Sequence, residues 1–178
     1  MTAECLAAAE GNVSRVRTIL VDDNDDFLDG LAAWLAHDPQ IEIVARAHSG
    51  REAIERVAQL RPELVLMDVS MAEINGFEAA RKIKAERDAP AIILMTFHDS
   101  HAARLEAWAA GADSFLAKGE ITERLMALID DLIRQRRRSE EEAAAVSRGT
   151  VSGSADEVAK GTEVRKPNKQ GPSRDLNE

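Results

Sequence analysis

Leu64-Val65-Leu66-Met67-Asp68-Val69-Ser70 is a run of large apolar residues that ends in a single carboxylate and gives way to polar sequence. Pro62 lies just upstream and disfavours continuation of an earlier helix, so the run predicts a short buried strand. An acid at the C-terminal end of such a strand sits where open α/β sheets place their ligands. An isolated aspartate there more often caps a turn. Asp68 is not isolated.

Other stretches follow the same grammar. Residues 17–21 predict a first strand that closes on Asp22 and Asp23, with Asn24, Asp25 and Asp26 forming a polar turn and helix cap. Phe27, Leu28, Leu31, Trp34 and Leu35 then recur at helical spacing until Pro39. Residues 41–45 predict the second strand. Ser49 is the expected cap of the second helix, with Glu52 in the capping-box position and Ile54, Val57 and Leu60 facing inward.

Beyond Asp68, Asn75-Gly76 marks a turn, and Phe77, Ala80 and Ile83 open a third helix. Residues 91–95 predict a fourth strand ending in Thr96. A fourth helix is expected over residues 100–110, stopped by Gly111, and spacing with Ala107 assigns Leu105 and Trp108 to its core face. Residues 114–117 make a short fifth strand that ends at Lys118. Ile121, Leu125, Leu128, Leu132 and Ile133 give the last helix its apolar stripe.

Strands alternating with helices imply an α/β fold with a parallel sheet covered on both faces. Right-handed crossovers make it doubly wound, and for five strands the common order is 2-1-3-4-5. The acids ending strands one and three then meet at the reversal of strand order. Thr96 and Lys118 flank them from strands four and five.

Three carboxylates gathered at Asp22, Asp23 and Asp68 repel one another and resist joint ionisation. A hard divalent cation relieves that repulsion, and Mg²⁺ suits the donor set because it binds through a few carboxylates and keeps waters that a phosphate can replace. A carboxylate beside such a metal is a nucleophile toward a phosphoryl group and forms an acyl phosphate. The phosphoryl oxygens then need further partners, and the Lys118 ammonium and Thr96 hydroxyl supply them.

Composition narrows the field. The chain has 178 residues and a formal net charge of −9, which argues against general affinity for nucleic acid. Its one cysteine, Cys5, forms no internal disulfide, in keeping with a reducing cytoplasm. No apolar run is long enough to span a bilayer, and the start of the chain lacks a basic secretory leader. The expected organisation is a flexible extension over residues 1–15, one domain over 16–138, and a helix extension with a disordered tail over 139–178. Arg136, Arg137 and Arg138 each have a Glu four residues on, a pattern that extends the last helix.

The segments 19–23, 64–68, 93–96 and 111–118 together resemble the receiver domain of bacterial two-component response regulators, over residues 17–133. The resemblance implies the flavodoxin-like version of this fold. It implies that Asp68 accepts a phosphoryl group from a histidine kinase or a histidine phosphotransfer protein. Asp22, Asp23, Asp68 and the backbone carbonyl of Ser70 would hold Mg²⁺, and Thr96 and Lys118 would bind phosphoryl oxygens. Phe115 would turn inward as Thr96 moves, remodelling the face of helix four, strand five and helix five, where an unknown downstream protein or a second copy in a homodimer docks. No external substrate is turned over; the domain catalyses only its own aspartyl phosphorylation and dephosphorylation.

Three positions depart from the family pattern. Ala72 replaces a usual proline, which loosens the loop after Asp68; Gly119 stands where many receivers have a cis proline; and Phe97 is bulky where a small residue is usual, narrowing access to Asp68. The branch nearest in its local pattern carries a helix-turn-helix, and this sequence shows no such DNA-binding domain. The alternatives are a receiver-like interaction module independent of phosphorylation, and a Mg²⁺-dependent phosphatase. The second expects its nucleophile in an Asp-x-Asp motif after strand one, whereas the candidate acceptor here follows strand three.

Overall fold

The computed structural model describes residues 15–149; the extension expected before Arg15 and the tail expected beyond Gly149 lie outside the described residues. Five strands, β1 (Val16–Val21), β2 (Ile41–Ala47), β3 (Leu64–Asp68), β4 (Ala91–Thr96) and β5 (Ser114–Ala117), form one sheet in the order β2-β1-β3-β4-β5. All four pairings are parallel. The connecting helices are α1 (Asp25–Leu35), α2 (Gly50–Leu60), α3 (Gly76–Lys84), α4 (His101–Ala109) and α5 (Ile121–Gly149), the last entered through a single 3₁₀ turn at Lys118–Glu120.

Alternation along the central strands divides the core in two, as period-two geometry requires. Ile19, Val21, Val65, Met67, Ile92, Leu94 and Phe115 pack with residues of α2, α3 and α4. Leu20, Leu64, Leu66, Ile93, Met95 and Leu116 pack with residues of α1 and α5. Every residue of β3 and β4 is buried. Strands buried on both faces read as unbroken apolar runs, which is why the acids that end them stand out.

The helix starts follow from their caps. Asn24, Ser49, Asn75 and Ser100 each accept a backbone N–H with the side-chain oxygen, from Phe27, Glu52, Glu78 and Ala103 respectively. Glu52 completes the second cap one residue further out than a standard capping box, taking the His48 N–H at 2.9 Å.

Two expected helix faces need correction. Leu105 and Trp108 are not core residues: each is 57% exposed. The inner face of α4 and its C-cap consists of Ala103, Ala107 and the capping Ala110, whose small side chains let the helix lie close to the sheet. At about 100° per residue, Leu105 and Trp108 sit roughly 160° and 100° round from Ala107. On α5 the buried line is Ile121, Leu125, Ile129 and Ile133, with Leu128 and Leu132 half-buried beside it. Ile129, absent from the expected stripe, continues the four-residue step. The compact unit that carries the sheet ends at Glu141.

Candidate functional site

Register assembles the site. Val21 pairs with Met67, so the next residues, Asp22 and Asp68, leave β1 and β3 side by side at the C-terminal edge. Asp68 is level with Met95 on β4, and Thr96, one step further, is level with Ala117. Lys118 follows directly, at the end of the shortest strand.

Asp22 and Asp68 are buried and Asp23 is exposed, and each offers an oxygen within 4.8 Å of the other two. The Lys118 ammonium lies 2.5 Å from Asp22 Oδ2 and 2.8 Å from Asp68 Oδ1. The remaining oxygens are also engaged: Asp22 Oδ1 accepts the Asn24 N–H at 3.0 Å, and Asp68 Oδ2 accepts the Ser70 N–H at 2.7 Å. Burial pushes the Asp22 carboxyl above the usual aspartate range, against the opposing pull of the Lys118 and Asn24 hydrogen bonds. One ammonium among three carboxylates leaves an excess of negative charge. That donor set, all hard oxygens in a partly buried corner, fits a divalent cation such as Mg²⁺.

The remaining expected residues sit as follows. Thr96, 2% exposed, accepts the His98 N–H on Oγ1 at 3.1 Å, which leaves its hydroxyl proton free to donate. Ser70 is exposed in the loop after Asp68, and Glu73 in the same loop takes a left-handed backbone with φ of 62°. Phe115 is buried among the residues facing α4, with the Arg104 guanidinium 5.9 Å from its ring centre. Arg104 is in turn paired with Asp99 in the loop after β4. Gly119 adopts no cis bond; none occurs among the described residues.

Gly76 packs closely against Asp68. A Cβ there would come within 2.2 Å of the Asp68 carbonyl oxygen, so the start of α3 lies directly against the Asp68 backbone. The sequence marks Asn75-Gly76 as a turn and gives no sign of this second duty.

One neighbour escaped sequence reasoning. Phe27, assigned to the inner stripe of α1, is half-buried with its ring centre 4.1 Å from Lys118 Nζ. Phe97 is a second ring beside the same ammonium, at 4.6 Å. A signal existed: Phe27 is in the first turn of the helix that the acidic loop opens, so its Cβ lies over that loop.

The response regulator receiver domain family matches residues 18–130. A protein-glutamate methylesterase/protein-glutamine glutaminase of Carboxydothermus hydrogenoformans is 31% identical over 142 residues, covering 78% of this chain and 39% of that protein. The transcriptional regulatory protein YdfI of Bacillus subtilis is 33% identical over 118 residues, covering 66% of this chain and 55% of that protein. The chain therefore spans only about two-fifths to just over half of these relatives' lengths. Among solved structures, a LuxR-family two-component response regulator from Aurantimonas sp. superposes with a TM-score of 0.63 at 30% identity, over 67% of this chain and 86% of that one.

Proposed function

Because the chain belongs to the response regulator receiver domain family, we propose that Asp68 is its phosphoacceptor and that its phosphorylation switches protein contacts in a phosphorelay. Receiver domains take part in two-component signalling with histidine kinases or phosphotransfer proteins, and as a class they turn over no external substrate. The observation that carries the reading for this chain is the meeting of Asp22, Asp23, Asp68 and Lys118 at one edge of the sheet.

An Asp68 oxygen attacks the phosphorus of a phosphohistidine; the P–N bond breaks and its electron pair returns to the imidazole. The carboxylate comes to the reaction held by the Ser70 N–H and the Lys118 ammonium, so little reorganisation is needed. Asp22, Asp23 and Asp68, with the Ser70 carbonyl, would hold Mg²⁺. That ion supplies positive charge for the phosphoryl oxygens when bound. Lys118 neutralises a second oxygen, and the free hydroxyl proton of Thr96 reaches for the third.

Output would follow through Thr96 and Phe115. Movement of Thr96 toward the phosphoryl group changes the space beside Phe115 and the α4 surface, where exposed Leu105 and Trp108 offer apolar contact to a downstream protein or a second copy. Among the described residues no helix is long and apolar enough to cross a membrane, and a cytoplasmic location is part of the same proposal.

The test is incubation with acetyl phosphate and Mg²⁺ followed by intact-mass measurement. One added phosphoryl group is expected on the wild type and none on Asp68→Asn, whose amide is no nucleophile toward phosphorus. An unmodified wild type, or equal gain by the variant, would overturn the assignment.

A further inference from the structure

Lys118 is held by more than its two carboxylates. Its ammonium faces two rings that meet at a corner, 4.1 Å from the centre of Phe27 and 4.6 Å from that of Phe97. The rings themselves meet edge to face, 6.3 Å apart at 69°. Phe97 is 72% exposed, a large apolar side chain left in solvent, yet the lysine side chain beside it is only 3% exposed. Burial of a ring therefore does not explain where Phe97 stands; covering a cation does. The negative faces of two aromatic rings attract an ammonium and exclude water from it.

We propose that Phe27 and Phe97 form an aromatic clamp on Lys118, with two consequences for the site. The clamp fixes the ammonium toward Asp68, making both phenylalanines positioning residues. It also screens the acyl phosphate from water. Hydrolysis requires a water oxygen to attack phosphorus while the bond from phosphorus to the Asp68 oxygen breaks. The electron pair stays on the carboxylate, and inorganic phosphate leaves with the water's proton. Rings that hold the ammonium against Asp68 keep water from taking its place there. This second consequence rests on Asp68 being phosphorylated; the first does not.

Two measurements separate them. In the unphosphorylated protein, the side-chain methylene protons of Lys118 should resonate well upfield of ordinary lysine positions, shifted by both rings. Phe97→Ala and Phe97→Leu should remove part of that shift, and Phe97→Tyr should keep it. After phosphorylation with acetyl phosphate, loss of the phosphoryl group should be roughly two- to fivefold faster in Phe97→Ala, the factor that a cation–π contact at an exposed site is worth. Phe97→Tyr should decay at the wild-type rate. Phe97→Leu should decay faster than wild type, because it restores bulk but no ring face. Ordinary Lys118 shifts in the wild type would overturn the clamp, whatever the kinetics. A shielded Lys118 with unchanged decay in Phe97→Ala, or wild-type decay in Phe97→Leu, would overturn the screening by the ring. A protein that never gains phosphate would sink the acceptor assignment and with it the screening, and leave the clamp to be judged by the resonances alone.

Discussion

Replacing Lys118 with methionine isolates the charge balance of the site. The side chains of Asp22 and Asp68 are 1% and 4% exposed, and that of Lys118, whose ammonium contacts both, is 3% exposed. Methionine keeps most of the volume, so little of the effect comes from a cavity. What is lost is the counter-charge of two buried carboxylates, and breaking a buried pair from one side costs about 3–5 kcal/mol. The Arg124–Glu120 pair makes the comparison: its contact is also 2.5 Å, but its side chains are 47% and 41% exposed. Solvent screens that pair, and Arg124→Ala should change stability by less than about 1 kcal/mol. Burial, not distance, decides between the two.

For a folded unit of this size, 3–5 kcal/mol corresponds to a fall of roughly 10–20 °C in melting temperature without metal. Mg²⁺ should act in the opposite sense. At ten times its Kd it stabilises the wild type by about 1.4 kcal/mol, and a tenfold tighter Kd in Lys118→Met would raise that to about 2.7 kcal/mol. Tighter binding is expected because the ammonium no longer offsets the three carboxylates. Thermal unfolding of both proteins with and without Mg²⁺, at constant ionic strength, measures the difference. The reasoning fails if metal-free Lys118→Met melts with the wild type, or if Mg²⁺ raises the wild type more than the variant.

Other substitutions probe the supports of the site. Gly76→Ala puts a methyl group against the Asp68 carbonyl, backbone that cannot yield cheaply, so it should cost about 1–3 kcal/mol and slow phosphorylation by acetyl phosphate. Gly30→Ala meets nothing within 4 Å on α1 and should raise the melting temperature, by at most about 1 kcal/mol of stability; the same sign at both glycines would contradict the packing. Thr96→Ala should still gain the phosphoryl mass, but amide shifts on phosphorylation should shrink around α4 and β5; full-sized shifts would remove Thr96 from the switch. Glu52 is held below the usual glutamate range, first by the His48 N–H and then by Arg56. A depressed carboxyl stabilises above its unfolded value and loses that contribution as pH falls through the folded one. Glu52→Gln should therefore be less stable than wild type at neutral pH and converge with it in acid, and a gap that widens in acid would reverse the sign.

The fold was legible in the sequence wherever hydrophobic burial leaves no choice. β3 and β4 are buried on both faces, so their apolar runs are unbroken and their ends unmistakable, and strand order brings those ends together. Positions decided by contact between elements were harder to read. Alanine fits either face of a helix, and the Ala103, Ala107 and Ala110 face of α4 and its C-cap was hidden behind the louder signal of Leu105 and Trp108. Phe27 packs against the core as the periodicity of α1 expects, but periodicity reports that a side chain is apolar and not which cation it also covers. Phe27 lies beside the site, and there the difficulty has a further cause. The runs that fix the sheet force Asp22 and Asp68 to leave it where water is already scarce, so their charge is met by groups from distant parts of the chain. Lys118 is 96 residues from Asp22. Such a partner appears in the sequence only when the strand that delivers it has been placed, and an aromatic ring that covers that partner appears one step later still.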